Sequence, residues 1–271
     1  MLTELRASRT GLPVSSLTVC RIEQLERAAF HHDALLFVEV VWDFENRLVR
    51  VEKTDGTVIT HAYYADGNRV RTEVAPPNGP PQITNLLVDT STALSNVVGE
   101  ADGSNLLVAL YVRGDDLLSV ICPGQKRFFH GDGLGSIRSL TDENGTSTDT
   151  YTYSAFGELF GQTGFDPQPY AFAGEPYEPK VGLLYNRARW LDSSVGLFVA
   201  ADPVYGSIDD PGSLHKYLYA NQDPANRTDP TGLTTFLGSG FTIDTLSQLA
   251  ATSVANLQAA LQWIYINYFT I

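Results

Sequence analysis

Positive charge is scarce in this chain: 18 lysines and arginines stand against 31 aspartates and glutamates, a formal charge of −13 with an isoelectric point near 4.7. That balance repels phosphate backbones and argues against nucleic acid as a partner. Cysteine is almost missing. Cys20 and Cys122 lie far apart with no CxxC step, so neither a zinc site nor a disulfide framework is encoded, and buried free thiols are expected. Histidine is sparse and badly placed for a metal: His31 and His32 are adjacent, while His61, His130 and His215 are isolated. No metal and no cofactor is therefore expected. A stretch resembling a phosphate cradle, "GDGLGS" from Gly131, lacks the third glycine of GxGxxG and has Ser136 in its place, which excludes it as a nucleotide loop. The opening "MLTELRASRTGLPVSSLTVC" has charges at Glu4, Arg6 and Arg9 and no apolar run long enough for a signal-peptide core. No classical export route is expected, which leaves a specialised secretion system or cell-surface association.

What is present reads as globular. The chain has 271 residues, 43% of them hydrophobic and 18% charged, enough for one large or two small domains. In "RIEQLERAAFHHDALL", residues 21–36, Ile22, Leu25, Ala28 or Ala29 and Leu35 follow helical spacing and predict a short helix. From residue 37 the pattern changes to short runs of Val, Tyr, Phe and Thr separated by Asp-Gly, Asn-Gly and Gly-Asn steps, the chemistry of tight hairpins. "WDFENRLVRV" from Trp42, "YADGNRVRTEV" from Tyr64 and "YSAFGELFG" from Tyr153 align as copies of one unit, with an aromatic first, Asn or Gly at +4 and Leu or Val at +6. Between the first two copies, "EKTDGTVITHAYY" alternates as a strand, with Val58, Thr60 and Ala62 on one face and Ile59, His61 and Tyr63 on the other. Repeats of this length bury their faces by stacking on one another, so Trp42, Tyr64 and Tyr153 are expected to form an aromatic ladder along the array.

"PPNGPPQ", residues 76–82, predicts a rigid surface loop. The expected organisation is an N-terminal segment over 1–36, a β-hairpin array over 37–161, a loop-rich cap over 162–233 and a helical tail over 234–271. In the tail, Leu246, Leu249, Ala250, Val254, Leu257, Leu261 and Ile264 recur at helical spacing, and no charge follows Asp244. Interspersed polar residues argue for an amphipathic helix in a protein groove and against a stable membrane span. Just ahead of the tail, "DPANRTDPTGL", residues 223–233, is dense in turn chemistry.

Together "FFHGDGLGSIRSLTDENGTSTDTYTYSAFGEL", "YNRARWLDSSVGLFVAADP" and "SLHKYLYANQDPANRTDPTGL" resemble the Rhs repeat-associated core domain, and the Trp42 and Tyr64 copies resemble the YD repeats that precede it. The likeness covers residues 40–233, with the three long motifs in family order. It implies a mainly β fold: a strip of YD-type hairpins forming a partial shell, a loop-rich core cap and a short C-terminal helix. It also implies a polymorphic C-terminal segment enclosed by the shell, with that segment, a secretion machinery or an immunity protein as partners. With fewer repeats and a shorter tail than is usual for the family, the chain is expected to be a shortened copy.

Family members commonly cut their own chain after the Asp-Pro-x-Gly-Leu motif, here Asp229 to Leu233, by an aspartic-protease-like pair. Carried over, Asp202 in "AADPVYG" and Asp229 are the catalytic residues and Leu233-Thr234 is the scissile bond. Two carboxylates sharing one proton can act as acid and base on a peptide carbonyl. The same two aspartates can equally serve only to start Asp-Pro turns. Arg187 and Arg189 in "YNRARWLD" could steady a carboxylate or stack on neighbouring aromatics. Two functions follow: a single-turnover aspartyl autoprotease that releases its C-terminal segment, and a non-enzymatic β scaffold that packages or presents it.

Overall fold

The computed structural model describes residues 37–237 apart from 93, 115, 165–167, 205–210 and 234. The helices predicted over 21–36 and within the tail, together with Cys20 and Thr234, lie outside the described residues.

The chain is mainly β. Its first half is one antiparallel meander in which each strand pairs with the next. The strands are β1 (Phe37–Trp42), β2 (Leu48–Lys53), β3 (Val58–Tyr63), β4 (Arg69–Ala75), β5 (Gln82–Asp89) and β6 (Asn96–Ala101). They continue with β7 (Leu107–Arg113), β8 (Leu117–Cys122), β9 (Gln125–Gly131), β10 (Ile137–Thr141), β11 (Ser147–Tyr153) and β12 (Leu159–Thr163). The proline-rich stretch over 76–81 connects β4 to β5.

One turn design recurs along the strip. At 43–47, 53–57, 64–68, 102–106, 132–136, 142–146 and 154–158, the first residue's amide donates to the fifth residue's carbonyl, and the fourth residue's amide donates back to the first. The fourth residue is always Gly or Asn at positive φ, from Asn46 at 63° to Gly157 at 93°. This is a type I turn closed by a left-handed residue in a bulge. Aspartate fits its first position because the carboxylate caps the loop: Asp43, Asp102, Asp132 and Asp142 each accept from the backbone amides two and four residues ahead. "GDGLGS" is one of these turns, its Asp132 carboxylate capping the Leu134 and Ser136 amides.

The turns correct the repeat register. Asp43, Tyr64 and Ser154 begin equivalent turns, so the residues just before them, Trp42, Tyr63 and Tyr153, are equivalent, each beside a register shift in its pairing. The expected Tyr64 is therefore one residue late. Tyr64 is 63% exposed, whereas the Tyr63 hydroxyl donates to the Leu48 carbonyl at 2.8 Å. No continuous aromatic ladder forms either. The same position before the other turns holds Glu52, Ala101, Gly131 and Thr141. Trp42 and Tyr63 share one core cluster, while Tyr153 belongs to two others.

In a meander, alternate turns lie at opposite ends of the strands. The turns at 43–47, 64–68, 132–136 and 154–158 share one end, and a cap sits there. The cap contains a second sheet, β13 (Tyr177–Glu178), β14 (Leu183–Asn186), β15 (Arg189–Asp192) and β16 (Leu197–Phe198), and a short pair, β17 (Arg227–Thr228) with β18 (Phe236–Leu237). Asn46 Nδ2 donates to Ala201 O, the Ile137 amide to Ala171 O and the Ala173 amide to Ser136 Oγ. Val181, Leu183, Tyr185 and Trp190 pack against Trp42, Leu48, Val51 and Ile59. Tyr170 packs edge-on to Tyr111 at 5.0 Å and Phe172 to Tyr153 at 6.2 Å.

Twelve strands spaced at about 4.8 Å would make a flat strip more than about 50 Å wide, yet one small cap touches β1 and β11 alike. The strip must curl around it. On β3, Ile59, His61 and Tyr63 turn inward and Ala62 outward. His61 packs on Trp190 at 5.2 Å with Nδ1 3.1 Å from Thr72 Oγ1. Burial, helped by the nearby charge of Arg69, holds its pKa well below the ordinary value, so it is a neutral packing residue.

Two outcomes are expected. Tyr63→Ala should cost about 2 to 4 kcal/mol in chemical denaturation, through lost packing and an unpaired Leu48 carbonyl, and Tyr64→Ala no more than about 0.5 kcal/mol. The Asp142 carboxylate lies below the ordinary range because the Thr146 amide bonds it. A folded pKa below the unfolded one gives stability that is present above the unfolded value and lost as pH falls through the folded value. The stability gap between wild type and Asp142→Asn should therefore narrow from pH 6 to pH 3 in urea titrations.

Candidate functional site

The loop-rich part of the cap folds back through an unusual backbone. Ala220, Asn221 and Gln222 have φ of 49°, 53° and 62°, three successive non-glycine residues in the left-handed region. Each such residue costs roughly 1 to 2 kcal/mol, and burial of Tyr219 and Ala220 at 0% exposure offsets it. The turn directs residues 223–233 back toward the hairpin of β14 and β15. That hairpin closes with the two-residue loop Arg187-Ala188, Arg187 itself at φ 55°. The loop sets Asn186, Arg187 and Arg189 against the Asp-Pro-Thr-Gly turn: the Ala188 amide donates to Thr231 O at 3.2 Å, and Asn186 Nδ2 to Asp229 O at 2.7 Å.

Asp202 and Asp229 are brought together through one guanidinium. Arg189 Nη2 lies 2.9 Å from Asp202 Oδ2 and 3.4 Å from Asp229 Oδ2. Its Nη1 donates to Lys216 O at 3.1 Å, its Nε donates to Gly232 O, and the group lies 3.8 Å over the Phe198 ring. Both readings of Arg189, carboxylate support and aromatic stacking, are thus present at once. Burial draws its pKa down against the pull of the two aspartates, yet an arginine stays charged.

Asp229 is 2% exposed and does two things. Its Oδ2 faces Arg189, while Oδ1 accepts from Thr231 Oγ1 and the Leu233 amide, each at 3.1 Å. Asp202 Oδ1 accepts from the Val204 amide at 2.8 Å. Each aspartate therefore starts its turn and also faces the shared arginine. Leu233 borders a cleft of about 240 Å³ between the cap and the turns at 43–47 and 64–68. Thr234, the other half of the expected scissile bond, lies outside the described residues.

Arg187 serves a different carboxylate. Its Nη1 is 2.9 and 3.0 Å from the two oxygens of Glu175 and also donates to Pro230 O, while its Nε donates to Ser95 O at 3.0 Å. Burial pushes the Glu175 carboxyl up, and Arg187 opposes this. Glu175 and Asn186 were not visible as site residues in the sequence. Polar residues buried to 5% and 1% exposure are the signal, and exposure is a tertiary property.

A curled antiparallel meander with a loop-rich cap seated at one end of its strands defines a shell-type β protein. The family model described as Teneurin YD-shell matches residues 88–225, half of the chain. The chain belongs to that family, as an Rhs/YD-repeat protein of the polymorphic-toxin type. It is 33% identical over 198 residues to the tRNA nuclease WapA of Bacillus subtilis strain 168, covering 70% of this chain and 8% of that protein. It is 31% identical over 106 residues to the toxin protein Tse5 of Pseudomonas aeruginosa, covering 39% of this chain and 8% of that one. Among solved structures, the crystal structure of TcdB2-TccC3 shares the fold at a TM-score of 0.57 and 17% identity, over 72% of this chain and 10% of that one. The chain thus spans under a tenth of the length of the curated relatives named here.

The packing at Gly232 makes a direct check on the site. At φ 68°, a Cβ there would lie 2.3 Å from Asn186 O and 2.8 Å from Arg189 N, both backbone atoms. Gly232→Ala should lower stability by about 2 to 4 kcal/mol, read as a shift in the urea midpoint, because neither neighbour can yield.

Proposed function

We propose that this chain is wall and cap of an Rhs-type shell that cuts itself once, between Leu233 and Thr234, with Asp202 and Asp229 as acid and base. The observation that carries the reading is the meeting of both carboxylates at Arg189 Nη2 beside a turn in which Asp229 also holds the Leu233 amide. In the cut, the ionised carboxylate takes a proton from water as the water oxygen bonds to the Leu233 carbonyl carbon. The protonated carboxyl gives its proton to the Thr234 nitrogen as the carbon–nitrogen bond breaks. Arg189, holding the Gly232 carbonyl, fixes the peptide just before that bond.

The cut needs one of the two carboxyl groups protonated and the other ionised. The nuclease and toxin activities in the relatives' names belong to whole proteins. For this chain the assigned role is to house and release a C-terminal segment in association with toxin or secretion machinery.

The same contacts favour a second reading. Every bond to Asp202 and Asp229 described above is also what a rigid, uncatalytic turn needs, which is the scaffold. Intact-mass measurement on freshly purified chains separates the two. Wild type should appear as a fragment ending at Leu233, and Asp202→Asn and Asp229→Asn chains should stay whole. Uncut wild type after prolonged incubation at mildly acid and neutral pH would leave only the scaffold.

A further inference from the structure

A second arginine-rich place lies away from the Asp-Pro-Thr-Gly turn, where the cap meets β4 to β7. There a small, partly open space of about 30 Å³ is bordered by Arg69, Arg113, Arg187 and Glu175, with Leu86, Val88 and Val97 on its apolar side. Arg187 is spoken for by Glu175. The other two have no such bidentate partner, although the charge of Arg113 also acts on Glu175. Arg69 is 7% exposed and stacked 4.6 Å over Tyr185 and 5.0 Å over Trp190. Its nearest carboxylate, Glu178, is 3.6 Å from Nη1, and among the described residues neither Nε nor Nη1 has a hydrogen-bond partner. Arg113 lies 4.7 Å over the Tyr170 ring, and its Nε is also unpartnered among the described residues. Glu100, the other acid near Arg69, is occupied by the Tyr111 hydroxyl at 2.8 Å and does not border the space.

Buried guanidinium groups with unused donors are costly unless an anion or water meets them. A water needs about 10 to 15 Å³ of such volume, so the space admits a monatomic anion or a water or two. Stacked rings hold both guanidinium planes, and the apolar wall strengthens the field at the centre. We infer that this cavity is a halide site, filled by chloride between Arg69 and Arg113, and that the ion fastens the cap to the middle of the strip.

Thermal unfolding of the whole chain in sodium chloride, sodium bromide and sodium gluconate at equal ionic strength tests this. Chloride and bromide should raise the midpoint saturably, by several degrees over gluconate, because only an ion bound to the folded state shifts the equilibrium this way. Arg113→Gln should erase the difference between the salts. Should that variant fail to fold, anomalous diffraction from wild-type crystals grown in bromide decides: a bromine peak between Arg69 and Arg113 is expected. Midpoints that follow ionic strength alone, or a cavity that holds only water in bromide, overturn the assignment.

Discussion

The guanidinium of Arg189 is the contact on which the cap depends. It joins four stretches of chain that are distant in sequence: β15, the Asp202 loop, the Lys216 carbonyl and the turn from Asp229 to Gly232. A neutral side chain could not replace it. Asp229 is buried at 2% exposure, and removing one partner of a buried charge set leaves the others uncompensated, at a cost of about 3 to 5 kcal/mol. The planar fork explains why this is an arginine: several donors point in fixed directions while the face rests on Phe198.

That arrangement needs a dry, rigid support, and the curled strip supplies it. Trp190, next to Arg189, and Tyr185, its partner across the hairpin, face β1 to β4, so the hairpin that aims the arginines at the turn is anchored by the cluster that seats the cap. On the other side, Tyr170 and Phe172 tie the cap to β7, β9 and β11. The bulged turns contribute at a smaller scale. They put Asn46 and Ser136 within reach of the cap. Repetition at the wall and irregularity at the cap divide the labour: hairpins make a surface cheaply, while a run of left-handed residues at 220–222 and a strained Arg187 make a site.

Much of this was legible beforehand because it is local. Asp at the head of a turn and Gly or Asn at its fourth position declare a bulged hairpin from the sequence alone, since the capping bonds and the positive φ involve only five consecutive residues. Alternation on β3 announced which face Ile59, His61 and Tyr63 share. The register of the second copy was not legible. Tyr63 and Tyr64 are adjacent aromatics, and only the amide-to-carbonyl bonds of the turn reveal which one precedes it. The ladder failed for a related reason: equivalent backbone positions do not require equivalent side chains.

The sequence by itself determined the class of structure, a mainly β hairpin strip followed by a loop-rich cap, and marked Asp202, Asp229, Arg187 and Arg189 as residues of interest. Turn chemistry and strand periodicity act over a few residues, and family motifs are written in order along the chain. Only the tertiary structure decided the pairings. Arg189 took both aspartates, Arg187 took Glu175, and Arg69 and Arg113 kept donors unused among the described residues, beside a cavity. Partner choice among charges depends on distance and burial after the strip has curled, and neither can be read from positions that are tens of residues apart.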